Sequence, residues 1–274
     1  MKHIALFPNG TKDKGFALTQ MVADILIGHG ARLTLPAGCA LPRQPGIEVV
    51  SSTQELLAQA QLVITLGGDG TILNIAADAA KKNIPILGIN LGRVGFMAEL
   101  EVKELDLLSR LFEHKYTIEE RMMLDVRLND GPSQCVLNDV VITAQRRQML
   151  DLALSQDDKH LGTFRADGLV IATPTGSTAY CLSAGGPVVD PRLQVMLAVP
   201  VCSHSLGARP IVFGPDTRLQ ADRPNLPARV TLDGKDTWEL GETDRVQVCR
   251  SNTVTRLVQL CDRQFYTAVR SYFS

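Results

Sequence analysis

Hydrophobic positions in the first third of the chain alternate between the periods of strands and helices. The apolar runs His3–Phe7 and Gln61–Leu66 have the length and composition of buried strands in a parallel sheet. Between them, residues 16–27 place apolar side chains at helical spacing, and a second helix is predicted from about Ile72 to Lys82. This alternation predicts a doubly wound, Rossmann-like α/β domain over residues 1–98.

Short strands and turns dominate the middle of the chain, after a helix predicted over residues 101–114. Asn129-Asp130-Gly131, Asp157-Asp158 and Asp233-Gly234 each separate two strand-like runs, which is typical of β-hairpins. They predict a β-rich domain over residues 99–250. The pattern of the remaining C-terminal segment does not decide whether it closes this domain or returns to the first.

Composition narrows the class of protein. The chain has 274 residues with 45% hydrophobic and 21% charged residues, and a net charge of -1. These values are ordinary for a globular protein, and they predict no nucleic-acid or membrane partner. The first apolar run is too short for a signal peptide, and no run could span a bilayer. Six cysteines without a C-x-x-C pair are expected to be reduced thiols in a cytoplasmic protein, not metal ligands.

A glycine-rich turn, Gly67-Gly68-Asp69-Gly70-Thr71, lies between a predicted buried strand and a predicted helix. Glycines let a ligand approach the backbone, and the N-terminus of a helix attracts phosphate. Asp69 would repel phosphate unless it has a task, such as accepting a proton from an attacking hydroxyl or holding a divalent cation. The alternative is that Asp69 only caps the helix. The chain has neither a P-loop nor a G-x-G-x-x-G fingerprint.

Two further segments carry polar residues in unexpected places. Residues 165–187 are rich in Thr, Ser and Gly beside a predicted strand, which suits a nucleotide, although a short T-P-T-G alone would be read as a turn. Asn138 and Asp139 interrupt an apolar run, so at least one should be buried and need partners. A turn at the edge of a hairpin is the alternative interpretation of this pair.

Taken together, these segments resemble the NAD kinase family, the ATP- or polyphosphate-dependent NAD kinases. The resemblance covers nearly the whole chain, and residues 167–187 are its most specific part. The segments that carry it are Gly67–Thr71, Gly88–Phe96, Leu137–Asp139, Asp167–Pro187 and Ser203–Val212. The family usually has Glu where this chain has Asp139, a side chain shorter by one methylene.

The resemblance implies a sandwich-like form for the β-rich domain, and it implies that residues 251–274 return to the first domain. It implies phosphoryl transfer from ATP or polyphosphate to the 2′-hydroxyl of the adenosine ribose of NAD, with a divalent ion, Mg²⁺, and a homodimer or homotetramer. Asp69 would be the base. Arg165 and Asp167 would lie near the nicotinamide, Asp167 often in a neighbouring subunit. The other residues expected to bind substrate are Gly70, Asn138, Asp139, Thr175, Thr178, Ala179, Tyr180, Cys181, Leu182 and Ser183.

Other functions stay open at this stage. The G-G-D-G turn also occurs in lipid and sugar-phosphate kinases, and a dinucleotide sensor could keep the binding residues without catalysis. The small polar residues of Thr173–Pro187 favour a nucleotide over a lipid, and Asp69 favours catalysis over binding alone. The sequence does not decide between ATP and polyphosphate, between NAD and NADH, or between dimer and tetramer. It also does not show the effect of Asp139 in place of the family's usual Glu, or whether NADP(H) regulates the protein.

Overall fold

The computed structural model describes residues 2–39, 41, 44–92, 95–146, 148–205, 207–222, 224–261 and 265–273. The chain forms two compact units, Met1–Glu120 with Thr255–Ser274, and Arg121–Val254. These limits lie later in the chain than the sequence-based ones at residues 98 and 250. They fall inside or beside two long strands, so they could not be found from turn signals.

In chain order, the strands are β1 (His3–Pro8), β2 (Arg32–Pro36), β3 (Ile47–Val50), β4 (Leu62–Gly67), β5 (Ile86–Asn90), β6 (Leu100–Glu101), β7 (Thr117–Leu128), β8 (Gln134–Val136), β9 (Asp139–Ala144), β10 (Leu150–Gln156), β11 (Lys159–Ala166), β12 (Gly168–Ala172), β13 (Met196–Val201), β14 (Ile211–Phe213), β15 (Leu219–Asp222), β16 (Ala228–Leu232), β17 (Asp236–Leu240) and β18 (Arg245–Gln259). The α-helices are α1 (Ala17–Gly28), α2 (Thr53–Leu56), α3 (Asp69–Lys81), α4 (Ser109–Phe112), α5 (Tyr180–Ser183) and α6 (Phe265–Phe273).

The first unit is built on a parallel sheet with the strand order β3-β2-β1-β4-β5. Leu257 of β18 pairs in parallel with Ile86 of β5 and extends this sheet. Every residue of β4 and β5 is buried, as expected for central strands covered on both faces. The chain runs outward from β1 to β3 and then returns to β4 on the other side of β1. The doubly wound α/β domain is therefore confirmed, and its strand order reverses between β1 and β4.

Helix α1 packs its apolar stripe against this sheet, with Leu18, Val22 and Leu26 in the core. The helix predicted over residues 101–114 is wrong as a single element. A 3₁₀ helix spans Val102–Leu108, and α4 adds one α-helical turn. Glu104 inside the 3₁₀ segment has a non-helical φ of -115°, which interrupts the regular pattern. No described helix is long and apolar enough to cross a membrane.

The second unit contains a six-stranded antiparallel sheet with the order β14-β13-β12-β9-β16-β17. A second set of strands pairs in the order β11-β10-β15-β18, and β7 pairs with β18 and β8. Alternate side chains from both sets, among them Leu152, Leu169 and Val246, share one buried core. The unit is therefore a β-sandwich, and all three hairpins predicted from turn signals are confirmed.

Candidate active site

The glycine-rich turn lies where the strand order of the first unit reverses. Strand β4 ends at Gly67, and α3 begins at Asp69, three residues earlier than the sequence indicates. A Cβ at Gly67 would collide with Thr71 Oγ1 and come within 3.2 Å of Asn9 Cβ, so only glycine fits there. Asn9 follows β1 and donates from Nδ2 to Thr71 Oγ1 at 3.4 Å. Ligands of doubly wound sheets bind in this position, at the carboxyl ends of the strands.

Asp69 is held by a segment from elsewhere in the first unit. Its carboxylate accepts hydrogen bonds from the backbone N–H groups of Phe96 at 2.7 Å, Met97 at 3.1 Å and Ala98 at 3.3 Å. A Cβ at Gly95 would collide with this carboxylate, which explains the glycine. Gly68 is the N-cap residue of α3, so the capping interpretation of Asp69 is wrong. The three donors fix the orientation of a half-buried carboxylate at the mouth of the turn.

Lys12 brings a positive charge to the same turn. Its Nζ would lie 2.9 Å from a Cβ at Gly68 and 3.7 Å from one at Gly92, so the ammonium rests against both glycines. The backbone of Lys12 is placed by hydrogen bonds from its N–H to the main-chain oxygen and side-chain oxygen of Asn9. An exposed ammonium beside a glycine turn offers a counter-charge for phosphate.

In the second unit, Asn138 and Asp139 are buried at the start of β9, with 9% and 5% of their surfaces exposed. The hairpin-edge interpretation is wrong, because β8 pairs with β7 whereas β9 pairs with β12 and β16, so residues 137 and 138 form a buried turn between two different sets of strands. Asn138 Oδ1 is buried and accepts no hydrogen bond from any residue that the structure describes. A buried acceptor without a hydrogen-bond partner costs free energy, so this oxygen is suited to accept a hydrogen bond from a ligand.

The Asp139 carboxyl has an unusual electrostatic environment. Burial raises its pKa to about 7, and the nearby Asp233 carboxylate adds to the rise. Burial also raises the pKa of Asp233, although hydrogen bonds from the backbone of Leu137, Asn138 and Asp139 oppose that rise. Burial and the Asp139 charge raise the pKa of Cys181 to about 12, so this thiol stays protonated. Asp139 is therefore poised to change charge near neutral pH.

The Thr- and Ser-rich segment is ordered against the same pair. The Thr173 hydroxyl accepts a hydrogen bond from the N–H of Gly176 and donates one to the main-chain oxygen of Leu137 at 2.6 Å. The N–H of Thr173 donates to the main-chain oxygen of Asn138. A Cβ at Gly176 would collide with the Asn138 carbonyl. Ser177 is fully buried and accepts the N–H of Val189. The segment is thus a packed structure and not a free turn.

The predicted binding residues after this point differ in exposure. Thr175 and Cys181 are buried, Thr178, Ala179 and Leu182 are half-buried, and Tyr180 and Ser183 are exposed. Thr178 donates from Oγ1 to the oxygen of Thr175 at 3.1 Å. In the first unit, Gly70 is exposed at the turn. Arg93 and Val94 of the Gly88–Phe96 motif and Leu206 of the Ser203–Val212 motif lie outside the described residues.

Arg165 and Asp167 are not brought to Asn138 and Asp139. In the sheet, Ala172 pairs with Asp139, and Gly168 pairs with Thr143 at the opposite end of β12. That separation is about 13 Å along the strand. Arg165 is exposed, and its Nε lies 3.0 Å from Met149 Sδ and 3.7 Å from Asp151 Oδ1. The predicted role of Arg165 and Asp167 near the nicotinamide therefore requires that they contact a different part of the ligand from Asn138 and Asp139, or a ligand bound to a neighbouring subunit.

Sequence reasoning missed two residues of these sites. Lys12 follows the first strand in an ordinary polar loop, and its only signal was a cation close after a strand end. Asp233 was used only as a hairpin signal beside Gly234. Its φ of +49° fits that signal, but its carboxylate also binds a turn that is distant in sequence. The pairing of β16 with β9, which sets Leu232 opposite Val140, places Asp233 beside this turn, and no local sequence pattern predicts that pairing.

Fold and sites together define a class of kinase in which an α/β domain with an acidic glycine turn is joined to a β-sandwich. Two family models match the chain, the ATP-NAD kinase N-terminal domain over residues 20–116 and the ATP-NAD kinase C-terminal domain over residues 137–260. The chain therefore belongs to the ATP-NAD kinase family.

Individual relatives agree with this membership. The chain is 36% identical to an NAD kinase of Caldanaerobacter subterraneus and 40% identical to one of Heliobacterium modesticaldum, each over 98% of both chains. Among solved structures, yeast NADH kinase complexed with NADH has a TM-score of 0.88 at 22% identity, covering all of this chain and 87% of that one. An Archaeoglobus fulgidus NAD kinase in complex with ATP has a TM-score of 0.78 at 24% identity, covering 99% of both. These structures support the fold.

Proposed function

We propose that this chain transfers the γ-phosphoryl group of ATP to the 2′-hydroxyl of the adenosine ribose of NAD, which produces NADP and ADP. One observation carries the chemical part of this proposal. Asp69 is a carboxylate fixed by three backbone N–H groups at a glycine turn, where the sheet would bind phosphate. A carboxylate beside phosphate is unfavourable unless it accepts a proton or holds a cation, and the three N–H groups already bound to both oxygens of Asp69 favour the first role.

In the proposed step, the ribose oxygen attacks the γ-phosphorus of ATP as its proton passes to Asp69. The bond between the γ-phosphorus and the bridging oxygen breaks, and ADP leaves with the electron pair. Catalysis of this kind consists mainly of positioning and of neutralising phosphate charge. Lys12 is suited to the second task, because its ammonium lies against Gly68 and Gly92 without a carboxylate partner among the described ion pairs.

Asn138 and Asp139 are proposed to bind the dinucleotide through hydrogen bonds to a ribose. The unpartnered, buried Oδ1 of Asn138 supports this role, as does the packed Thr173–Gly176 segment beside it. The residues proposed to line the adenine and ribose side are Thr175, Thr178, Ala179, Tyr180, Cys181, Leu182 and Ser183. Arg165 and Asp167 are proposed to contact the nicotinamide end, in a homo-oligomer of a cytoplasmic protein.

A divalent ion, Mg²⁺, is part of the proposal, but the described residues do not build a cage for it. No group of three or more His, Cys, Asp or Glu side chains among them could hold a metal. Both oxygens of Asp69 already accept N–H groups. The ion would therefore be held chiefly by the donor phosphates, where it supplies further charge neutralisation.

The test of this function is direct. The purified protein is incubated with NAD, ATP and Mg²⁺, and NADP is measured with an NADP-specific dehydrogenase. We expect NADP to form in proportion to enzyme and ADP to form in equal amount. Parallel reactions with polyphosphate and with NADH identify the donor and the acceptor. ADP formation without NADP would contradict the proposal, and so would tight NAD binding with neither product.

A further inference from the structure

The turn that carries Asn138 and Asp139 is held from one side by a single carboxylate. Asp233 accepts hydrogen bonds from the backbone N–H groups of Leu137 at 2.9 Å, Asn138 at 2.8 Å and Asp139 at 3.2 Å. The N–H of Asp233 in return donates a hydrogen bond to the main-chain oxygen of Asp139 at 3.0 Å. One side chain therefore satisfies three consecutive donors of the segment that is proposed to bind NAD.

The opposite side of the turn is held by carbonyl contacts. Thr173 bonds to the oxygens of Leu137 and Asn138, and Gly176 packs directly on the Asn138 carbonyl. The turn thus has its N–H groups fixed by Asp233 and its carbonyl groups fixed by Thr173. With both sides fixed, the buried amide of Asn138 has little freedom to find another partner, and its Oδ1 stays available.

We propose that Asp233 is a positioning residue for the nucleotide substrate, which it serves by clamping the Asn138–Asp139 turn. The inference rests on the proposed role of that turn in NAD binding. Asp233 itself need not touch the ligand. Its carboxylate pre-organises the two side chains that do, so that the free energy of ordering the turn is not subtracted from the free energy of binding.

A second consequence concerns the charge of Asp139. Among the residues that the structure describes, the charged or titratable groups that interact with Asp139 are the Asp233 carboxylate and the Cys181 thiol, and Lys235 interacts with Asp233. A charged Asp139 accepts hydrogen bonds from ribose hydroxyl groups better than a neutral one, so NAD binding should strengthen as pH rises through about 7. Removing the Asp233 charge removes a like-charge neighbour, which lowers the pKa of Asp139 and moves this transition to lower pH.

The test compares the wild type with Asp233→Asn, Asp233→Glu and the control Asp236→Asn. Asp236 is an exposed carboxylate on the same hairpin, so its change matches the first variant in chemistry and location. NAD binding is measured by calorimetry from pH 5.5 to 8.5 without a donor, and kcat and KM are measured for NAD and for ATP. Thermal unfolding shows whether each variant folds.

We expect Asp233→Asn to raise the Kd and the KM for NAD by about tenfold or more, because charge-assisted hydrogen bonds to three donors are lost. The KM for ATP should stay within about twofold and kcat within about threefold, since Asp233 acts only on the NAD-binding turn. The pH midpoint of NAD binding should fall in this variant. Asp236→Asn should match the wild type. A Kd for NAD within twofold of the wild-type value overturns the proposal.

Asp233→Glu keeps the charge and moves the carboxylate by one methylene. We expect a Kd raised by about threefold or more, but less than in Asp233→Asn, with the wild-type pH midpoint. If Asp233→Asn does not fold, Asp233→Glu decides, and a Kd within twofold of the wild type then overturns the proposal. Absence of NADP formation by the wild type would refute the proposed function alone, because the comparison of NAD binding among variants does not use the reaction.

Discussion

Lys12 and Asp69 place opposite charges at one glycine turn, and hydrogen bonds fix the main chain of Lys12 and the carboxylate of Asp69. Asn9 orients the loop of Lys12, while Phe96, Met97 and Ala98 orient Asp69. The proposed reaction needs both signs, because a proton leaves the acceptor while negative charge accumulates on the transferred phosphoryl group and on ADP. Asp69 could be selected from the sequence, since an acidic residue in a phosphate-binding turn is unusual. Lys12 could not, because no local pattern separates it from other surface lysines.

The role of Lys12 gives a prediction at this scale. Lys12→Ala should lower kcat/KM for ATP by about tenfold or more, because an ammonium near phosphate contributes a charge-assisted hydrogen bond. Lys12→Arg should recover part of the loss. Steady-state kinetics with ATP varied at saturating NAD measures the effect. Lys14→Ala is the control, since Lys14 is exposed two residues further along. Equal values for the Lys12→Ala and Lys14→Ala variants would remove Lys12 from the site.

Among the elements, the segment of residues 95–99 links Asp69 to the C-terminal part of the first unit. Phe96 donates its N–H to Asp69, and its ring lies 6.0 Å from the ring of Phe265 and 5.7 Å from that of Tyr272 in α6. Glu99 accepts the N–H groups of Leu260 and Cys261, both at 2.8 Å.

The sequence predicted β4 and α3 with the turn between them, because buried strands and helices have distinct periods. It gave no sign of this link, which joins residues far apart in the chain.

The link predicts an effect of the Phe96 ring on catalysis. Phe96→Ala should lower kcat by about three- to tenfold, because the ring no longer packs on α6 and the N–H groups that orient Asp69 become more mobile. The measurement is kcat for NADP formation at saturating substrates, with the unfolding temperature as a check on folding. Tyr266→Ala serves as the control, since Tyr266 packs edge-on against Phe265 at 5.3 Å. A Phe96→Ala kcat equal to that of the control would show that the ring does not act on Asp69.

For the whole molecule, the two-part architecture was predictable, whereas the limits of its parts were not. The fully buried strands of the α/β domain and the hairpins after Leu128, Gln156 and Leu232 follow from local periodicity and turn residues. The strands β7 and β18 extend past the limits of the two units, and continuous strands leave no turn signal there. The family resemblance supplied the substrate, which hydrophobic patterning does not encode.

The role of Asp69 as the base is tested by the turnover of Asp69→Asn, compared with that of the wild type and of Asp78→Asn. Asp78 is an exposed carboxylate on the same helix, α3, so the control makes the same chemical change away from the turn. We predict that Asp69→Asn lowers kcat for NADP formation by at least about 100-fold and changes the Kd for NAD only a few-fold, because a general base is lost and binding groups are kept. Asp78→Asn should keep wild-type turnover. If Asp69→Asn keeps kcat within about threefold of the wild type, Asp69 is not the base and the central claim is wrong.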